Sequence, residues 1–169
     1  MARYLEITLK KRGISCVALL LDEKAPRTCE AVWNALPQEG EVYHAKYASN
    51  EIYILVPGFA PEEPGPENCS MVPAAGDVMY FTLGPGLQLP VRSDSGAPVI
   101  DLAVFYDRDN LLLSPKMGPT PGNVFATIIK NRDGIRDGGN SVWREGAVGE
   151  TLSYSRLEGD ALRAWGIEP

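Results

Sequence analysis

Residues 36–57 read LPQEGEVYHAKYASNEIYILVP, and this segment decides how the rest of the chain is interpreted. It predicts two strands, over residues 43–47 and 52–56. A short polar connection at residues 48–50 has the composition of a tight turn between them. The first strand carries His44, which is the only histidine of the chain. Because an ordinary histidine titrates near neutral pH, the same segment holds the first candidate for acid–base chemistry.

The chain before this segment predicts a strand hairpin followed by a short helix. Residues 5–9 alternate between apolar and polar side chains, which is the period of a half-buried strand, and residues 15–21 form an almost wholly apolar strand. Pro26 is placed for the first turn of a helix, and Pro37 ends it. The face expected to pack on the core consists of Val32, Trp33 and Leu36.

The chain after this segment predicts further short strands and one long helix. The strands are expected at residues 78–83, 87–91 and 102–106, with a closing strand at 150–157. Short strands at such intervals are typical of a barrel or a sandwich. Apolar residues from Phe125 to Trp143 recur at helical spacing, which predicts one long or broken helix. Asn123 is placed as the N-cap of that helix.

The composition is that of one ordinary globular domain, which we take as residues 1–169. Hydrophobic residues make up 44% of the chain and charged residues 22%. A net charge of −6 without a basic run excludes nucleic acid as a partner. No apolar run approaches the length of a membrane span, and the start lacks the apolar block of a signal peptide, so we expect a cytoplasmic protein that does not associate with membranes.

Three cysteines occur, and they show neither CxxC spacing nor an even number. This pattern predicts reduced thiols rather than a disulfide framework or a zinc site. One histidine with scattered carboxylates offers none of the paired ligands that hold zinc, and the acidic turn YDRDN at residues 106–110 lacks the further ligands of a calcium site. Neither LGPGL nor DGGN has the spacing of a phosphate-binding loop. We therefore expect no metal and no cofactor.

Five segments carry a family resemblance in their order and spacing: APRTCEAVWNALP at 25–37, HAKYASNEIY at 44–53, GDVMYF at 76–81, NVFATI at 123–128 and WREGA at 143–147. Together they resemble an uncharacterised family of small bacterial cyclophilin-like proteins. The resemblance implies a mainly β protein, a closed cyclophilin-like barrel of about eight strands with two flanking helices. The sequence blocks of true prolyl isomerases are absent, so the resemblance transfers the fold and none of the catalytic residues.

His44 and Glu51 are the candidates for catalysis. His44 lies on the first strand of the central pair and Glu51 begins the second, so the spacing permits an orienting hydrogen bond of the kind that a general acid or base needs. The alternative is a surface or edge-strand histidine without a chemical role, since no serine or cysteine nucleophile accompanies it.

Two tyrosines and two arginines are the candidates for ligand binding. The hydroxyl groups of Tyr80 and Tyr106 suit the orientation of a ligand if their rings line a pocket, although rings inside a barrel are more often core. Arg92 and Arg144 suit a carboxylate clamp, because a guanidinium donates two parallel hydrogen bonds. For Arg144 the alternative is an exposed ion pair with Glu145.

These residues predict a protein that binds a small molecule, such as a carboxylate, at one barrel mouth, with catalysis left open. Two other classes stay open. One is a prolyl isomerase or a proline-peptide binder, which only the fold suggests. The other is a noncatalytic interaction subunit whose partner is another protein or a second copy of this chain.

Overall fold

The structure, a computed structural model, describes residues 2–84 and 96–168. Within those residues the chain forms twelve strands and three helices. The strands are β1 (Tyr4–Leu9), β2 (Ile14–Leu20), β3 (Gln38–Glu41), β4 (Tyr43–His44), β5 (Glu51–Pro57), β6 (Cys69–Ser70), β7 (Asp77–Leu83), β8 (Val99–Phe105), β9 (Leu113–Ser114), β10 (Gly118–Pro119), β11 (Gly122–Lys130) and β12 (Thr151–Arg156). The helices are α1 (Pro26–Ala35), α2 (Arg132–Glu145) and α3 (Gly159–Ala164).

Nine of the described strands form an antiparallel sheet that curls into a nearly closed barrel, in the order β3-β12-β1-β2-β11-β7-β8-β5-β4. Strand β6 joins β11 beside this path, and β9 pairs with β10 separately. Strands β3 and β5 approach each other at the seam, where a Cβ atom on Gly40 would lie 3.3 Å from Cβ of Ile54. The predicted mainly β barrel is therefore confirmed, with one strand and one helix more than expected.

Alternate residues of each strand fill the inside of the barrel, because successive side chains of a strand point to opposite faces. On β5 and β8 the inward side chains are almost fully buried; they are Ile52, Ile54, Val56, Ile100, Leu102 and Val104. Helix α2 crosses one end of the barrel and adds Ile135 and Val142 to the same cluster. This arrangement places the C-terminal turns of α2 at a barrel mouth.

The opposite faces of β5, β7 and β8 are also covered. Met79, Ala103 and Phe105 form a second buried cluster there, and Ala48 and Leu112 from the connecting segments pack onto it. Because both faces of these strands are buried, their sequences are nearly continuous apolar runs. Any polar side chain on this outer face is therefore held in a largely apolar environment.

The predicted long helix is wrong in its first part, because residues 122–130 form strand β11 and helix α2 begins only at Arg132. Strand β11 lies between β2 and β7 and is buried on both faces, so its apolar residues do not alternate, and periodicity cannot distinguish such a strand from a helix. The N-cap is Asn131, whose side chain accepts a hydrogen bond from the Gly134 amide at 3.2 Å.

The N-cap prediction for Asn123 is consequently wrong too. Asn123 is a buried residue of β11, and its amide group donates hydrogen bonds to Thr28 Oγ1 at 3.0 Å and to the Gly65 carbonyl at 2.8 Å. Its side-chain oxygen accepts from the Glu67 backbone amide at 3.0 Å. Asn123 therefore ties the strand to α1 and to the loop before β6.

The other predicted elements of the described chain are confirmed within a few residues: the opening hairpin, the helix that ends before Pro37, the strand pair of residues 43–57 and the closing strand. Trp33 packs against the core but is only partly buried, and the guanidinium groups of Arg3 and Arg156 lie 5.3 and 4.9 Å from its ring centroid. The strand predicted at residues 87–91 lies outside the described residues. Within residues 2–84 and 96–168, no helix has the length and hydropathy needed to cross a membrane.

Candidate functional site

His44 and Tyr106 meet at the barrel mouth where β4, the end of β8 and the last turns of α2 come together. The cleft between these elements, which we call the His44 cleft, has a volume of about 400 Å³. Its side chains include His44, Lys46, Asn50, Tyr106, Trp143 and Arg144. Three residues that the sequence singled out, two as ligand-binding and one as catalytic, thus line the same cleft.

Both ring nitrogens of His44 have hydrogen-bond partners. Nδ1 lies 2.9 Å from the carbonyl oxygen of Ala45, and Nε2 lies 2.7 Å from the hydroxyl oxygen of Tyr106. A carbonyl can only accept, so Nδ1 carries the proton and Nε2 accepts the hydrogen bond that Tyr106 donates. Burial lowers the pKa of His44, which favours this same neutral ring.

Tyr106 is held in place by the close approach of α2. A Cβ atom on Gly139 would lie only 2.3 Å from Cδ1 of the Tyr106 ring, so the helix can pack this tightly only where the side chain is missing. Tyr106 is 4% exposed, and burial, followed by the charge of Asp107, raises its pKa to about 12. Its phenol therefore keeps its proton at neutral pH and continues to donate to His44.

The outer wall of the cleft is aromatic and cationic. The Trp143 ring centroid lies 5.0 Å from that of His44 at an angle of 45°, and 64% of the Trp143 residue remains exposed. Lys46 and Arg144 line the cleft as well, and among the described residues no Asp or Glu lines it. The cleft thus combines an accessible indole with two positive charges.

Glu51 does not orient His44 in this structure, so that part of the sequence prediction needs correction. His44 pairs with Ile52 and shares its inward face, whereas Glu51 is one residue earlier on β5 and points to the outer face. The partner that fixes the His44 ring is instead the Ala45 carbonyl. The physical reason why Glu51 does not orient His44 is that neighbouring residues of a strand point to opposite faces.

Glu51 lies in a neighbouring pocket of about 440 Å³ on the outer face of β5 and β8. We call it the acid pocket, because Glu51 and Asp101 both line it. Aromatic and apolar side chains complete the wall: Tyr43, Tyr53, Leu55, Phe81 and Met117. Residues 44–47 line both the acid pocket and the His44 cleft, and so form the wall between them.

The remaining predicted binding residues do not join these two sites. The Tyr80 ring is 2% exposed and packs inside the barrel, with its centroid 6.0 Å from that of Phe59. The Tyr80 hydroxyl donates to Glu63 at 2.9 Å. Arg92 lies outside the described residues. Among the described residues, no three His, Cys, Asp or Glu side chains gather in a way that could hold a metal ion.

Sequence reasoning missed Asp101 and Tyr53. A signal for Asp101 was present, because it is the one charged residue in the strand VIDLAVF at residues 99–105. A charge inside such an apolar run requires a partner, a raised pKa or a function. Tyr53 gave no comparable signal, since an aromatic residue on a strand is most simply read as core.

The nearly closed antiparallel barrel is the fold class that the family resemblance implied, and comparisons with known proteins identify the family. A family model described as "Protein of unknown function (DUF3830)" matches residues 7–154, and the chain belongs to this family. No curated protein matches the sequence.

Ten solved chains match this structure, and two of them illustrate the shared fold. The structure of McbB in complex with tryptophan is similar with a TM-score of 0.65 and 21% identity, over 92% of this chain and 45% of McbB. This chain therefore spans less than half the length of McbB. The solution structure of the hypothetical protein AF2241 from Archaeoglobus fulgidus is similar with a TM-score of 0.51 and 21% identity, over 92% of this chain and 95% of AF2241.

Proposed function

We propose that this chain binds a small organic acid in the His44 cleft, with the guanidinium of Arg144 holding the carboxylate. The observation that carries the proposal is the charge of the lining: Lys46 and Arg144 face the cleft, and no described Asp or Glu does. The whole chain has a net charge of −6, so a cleft whose charged side chains are all positive among the described residues is a local departure from its surroundings.

The state of Arg144 supports this assignment. On the same helix Arg136 forms an ion pair with Asp133 at 2.8 Å, whereas Arg144 has no hydrogen bond or ion pair with any described residue. A guanidinium without an internal partner can give both of its parallel N–H groups to a ligand carboxylate. The expectation from sequence of an Arg144–Glu145 pair has no counterpart in the described contacts.

The indole of Trp143 supports a planar body for the ligand. Its accessible face lies beside His44, and a ring stacked there would bury apolar area while its acid group reaches Arg144. The McbB structure contains tryptophan, which itself carries a carboxylate and a planar ring. At 21% identity this similarity concerns the fold alone. For the ligand it only suggests which compounds to use as probes.

The role of His44 as a general acid or base remains a prediction. Both of its ring nitrogens already have hydrogen-bond partners within the protein: Nδ1 is bonded to the Ala45 carbonyl, and Nε2 is bonded to the Tyr106 hydroxyl. The geometry therefore supports binding, with His44 fixing the direction of Tyr106, more directly than it supports proton transfer from the imidazole.

Calorimetric titration with phenylacetate and with its neutral analogue phenylacetamide tests the proposal. We expect phenylacetate to bind and Arg144→Gln to weaken that binding about tenfold or more, because hydrogen bonds to charged groups contribute about 1.5–3 kcal/mol. Arg136→Gln is the matched control, since it removes the same charge from the same helix outside the cleft and should leave the affinity unchanged.

Three results would contradict the proposal. Absence of phenylacetate binding at millimolar concentration is the first, and equal affinity for the acid and the amide is the second. The third is equal weakening by Arg144→Gln and Arg136→Gln, which would show that only the overall charge of α2 matters.

A further inference from the structure

The acid pocket contains two carboxyl groups whose burial is not compensated by described partners. Glu51 is only 5% exposed, and its side chain has no hydrogen bond with any described residue. In Asp101 the oxygen Oδ1 is buried and has no hydrogen-bond partner among the described residues. Buried polar groups are nearly always hydrogen-bonded in folded proteins, so the unpartnered Oδ1 atom of Asp101, in the same pocket as the buried Glu51, needs an explanation.

The two groups are not a directly bonded pair. Asp101 is paired with Leu55, which lies four residues along β5 from Glu51, or about 13 Å along a strand. Tyr53 lies between them on the same outer face and opposite the small residue Ala103. The pocket therefore presents a carboxyl group toward each end of an aromatic floor rather than one shared proton.

Burial raises the pKa of all three of these acidic groups in the pocket. Burial raises the pKa of Glu51 to about 8. Burial, followed by the charge of Glu51, also raises the pKa of Asp101. Burial raises the pKa of Tyr53, and the charges of Asp101 and Glu51 raise it further. At neutral pH the pocket thus holds protons that a bound positive charge would displace.

We propose that the acid pocket is a second ligand site, which binds a small organic cation such as a protonated amine on an aromatic or apolar body. The ammonium group would supply the missing partner of the Asp101 Oδ1 atom or of Glu51. The stacked rings of Tyr43 and Tyr53, 5.6 Å apart, and the ring of Phe81 form the adjacent wall, which suits an apolar body and adds cation–π attraction.

This site is independent of the one proposed for organic acids. The His44 cleft lies on the inward side of the strand pair, at the barrel mouth, and carries positive charge, whereas the acid pocket lies on the outer face and carries carboxyl groups. Only the wall of residues 44–47 is common to both. The two sites therefore offer different groups to a ligand: the guanidinium of Arg144 in the His44 cleft, and the carboxyl groups of Glu51 and Asp101 in the acid pocket.

The charged and titratable groups facing the acid pocket come from three strands and the segment after β4. They are Tyr43, His44, Lys46, Tyr47, Glu51, Tyr53 and Asp101. Phe81 and Leu83 from β7 and Leu112, Met117 and Thr120 from the later segment carry no titratable group. Lys46, an exposed residue, is the one described cation on the lining, so it is the only internal competitor there for an amine.

Calorimetric titration with phenethylamine and with 2-phenylethanol tests the inference, because the two compounds differ in the ammonium group. We expect the amine to bind more tightly, and Glu51→Gln or Asp101→Asn to weaken amine binding about tenfold or more. Glu158→Gln removes an exposed carboxylate elsewhere and should have no effect. Lys46→Met removes the internal competitor and should strengthen amine binding.

A second readout reports the carboxyl groups directly. If the amine displaces a proton from Glu51, the heat of binding at pH 7 will depend on the ionisation enthalpy of the buffer, and the affinity will rise as the pH rises toward 8. The proton release should decrease in Glu51→Gln, while residual binding of 2-phenylethanol would show that this variant is folded.

Three outcomes would overturn the inference. The first is equal binding of amine and alcohol to the unmodified protein, and the second is no binding of phenethylamine at millimolar concentration. The third is unchanged amine affinity in both Glu51→Gln and Asp101→Asn. None of these outcomes bears on the binding of phenylacetate through Arg144, so the two proposals fail separately.

Discussion

At the scale of single residues, the burial of Glu51 opposes ionisation of its carboxyl group in the folded protein. An ordinary glutamate titrates near pH 4.5, but burial raises the pKa of Glu51 to about 8. Between these values the unfolded chain ionises its glutamate while the folded chain keeps the proton. The folded state therefore binds more protons than the unfolded state, and this residue makes stability fall as pH rises from about 4.5 to 8.

We expect Glu51→Gln to stabilise the protein more at pH 8 than at pH 5. The neutral amide cannot ionise, so it removes the pH-dependent loss while keeping the shape of the side chain. One pKa unit corresponds to about 1.4 kcal/mol, so the difference between the two pH values should exceed about 1 kcal/mol. Urea denaturation of both proteins at each pH measures it. An equal effect at both pH values would show that Glu51 titrates normally.

Some residues of the candidate site could be predicted from the sequence, but the contacts between them could not. His44 was identified because it is the only histidine, and Arg144 because guanidinium groups suit carboxylates. The partner of His44 was misassigned, because Ala45 orients the ring through a backbone carbonyl, and a backbone group leaves no trace in the sequence. Tyr106 was identified as a ligand-binding candidate, but its hydrogen bond to His44 spans 62 residues and depends on barrel closure.

At the scale of elements, the junction of β11 and α2 separates two asparagines with different roles. Asn123→Ala removes a buried side chain that bonds Thr28, Gly65 and Glu67, so we expect a cost of about 2–3 kcal/mol from unsatisfied buried groups. Asn131→Ala removes an N-cap and should cost about 1 kcal/mol. Thermal and urea unfolding of the two variants gives the comparison. A larger loss for Asn131→Ala would contradict the assigned roles.

Helix α2 depends on two adjacent glycines where it crosses the barrel end. In Gly139→Ala the new methyl group would meet the Tyr106 ring at 2.3 Å, and the buried ring cannot move without losing its hydrogen bond to His44. We expect overpacking to cost about 1–3 kcal/mol, offset by about 1 kcal/mol of helix propensity. The melting temperature should fall by about 2–4 °C for each net kcal/mol lost.

Gly138→Ala is the matched control for this prediction. Its methyl group would meet Leu9 Cδ1 at 2.7 Å, which is the far end of a flexible side chain rather than a ring. Both substitutions gain the same helix propensity. The difference between their melting temperatures therefore measures the cost of the new methyl group against the Tyr106 ring. If Gly139→Ala were as stable as Gly138→Ala, Tyr106 would not be fixed by the helix.

The same element shows why its start was mispredicted. Residues 122–126 are all buried, so this part of the strand shows no alternation, and Phe125, Ile128 and Ile129 match a helical period by accident. The amphipathic elements were predicted well because only one of their faces is buried. Strand β1 and helix α1 belong to this class.

At the scale of the whole molecule, the barrel was predicted through the order of its segments rather than through any one of them. Strand count and spacing indicate a barrel or a sandwich, and only the family resemblance selected the closed form. Which residues face the mouth follows from register between strands distant in the chain, such as β5 with β8. Such pairing could not be derived from local patterns, so the acid pocket was not foreseen.

The sheet topology also predicts how stability is distributed. Strand β8 is hydrogen-bonded on both sides, to β5 and β7, and its residues are nearly all buried, whereas β9 pairs only with the two-residue strand β10 and exposes Leu113. We expect amides of β8 to exchange with solvent only through global unfolding, and those of β9 and β10 to exchange much faster. Hydrogen exchange followed by mass spectrometry tests this. Equal protection of β8 and β9 would contradict it.

The most direct test of the central claim uses His44, which is the only histidine and therefore gives a single imidazole Hε1 resonance without assignment. Phenylacetate should shift this resonance saturably in the unmodified protein and in Arg136→Gln, because the ligand would lie beside the ring in the His44 cleft. In Arg144→Gln the same shift should need about tenfold more ligand. No shift in the unmodified protein, or identical curves for the two arginine variants, would contradict an organic-acid site at the His44 cleft.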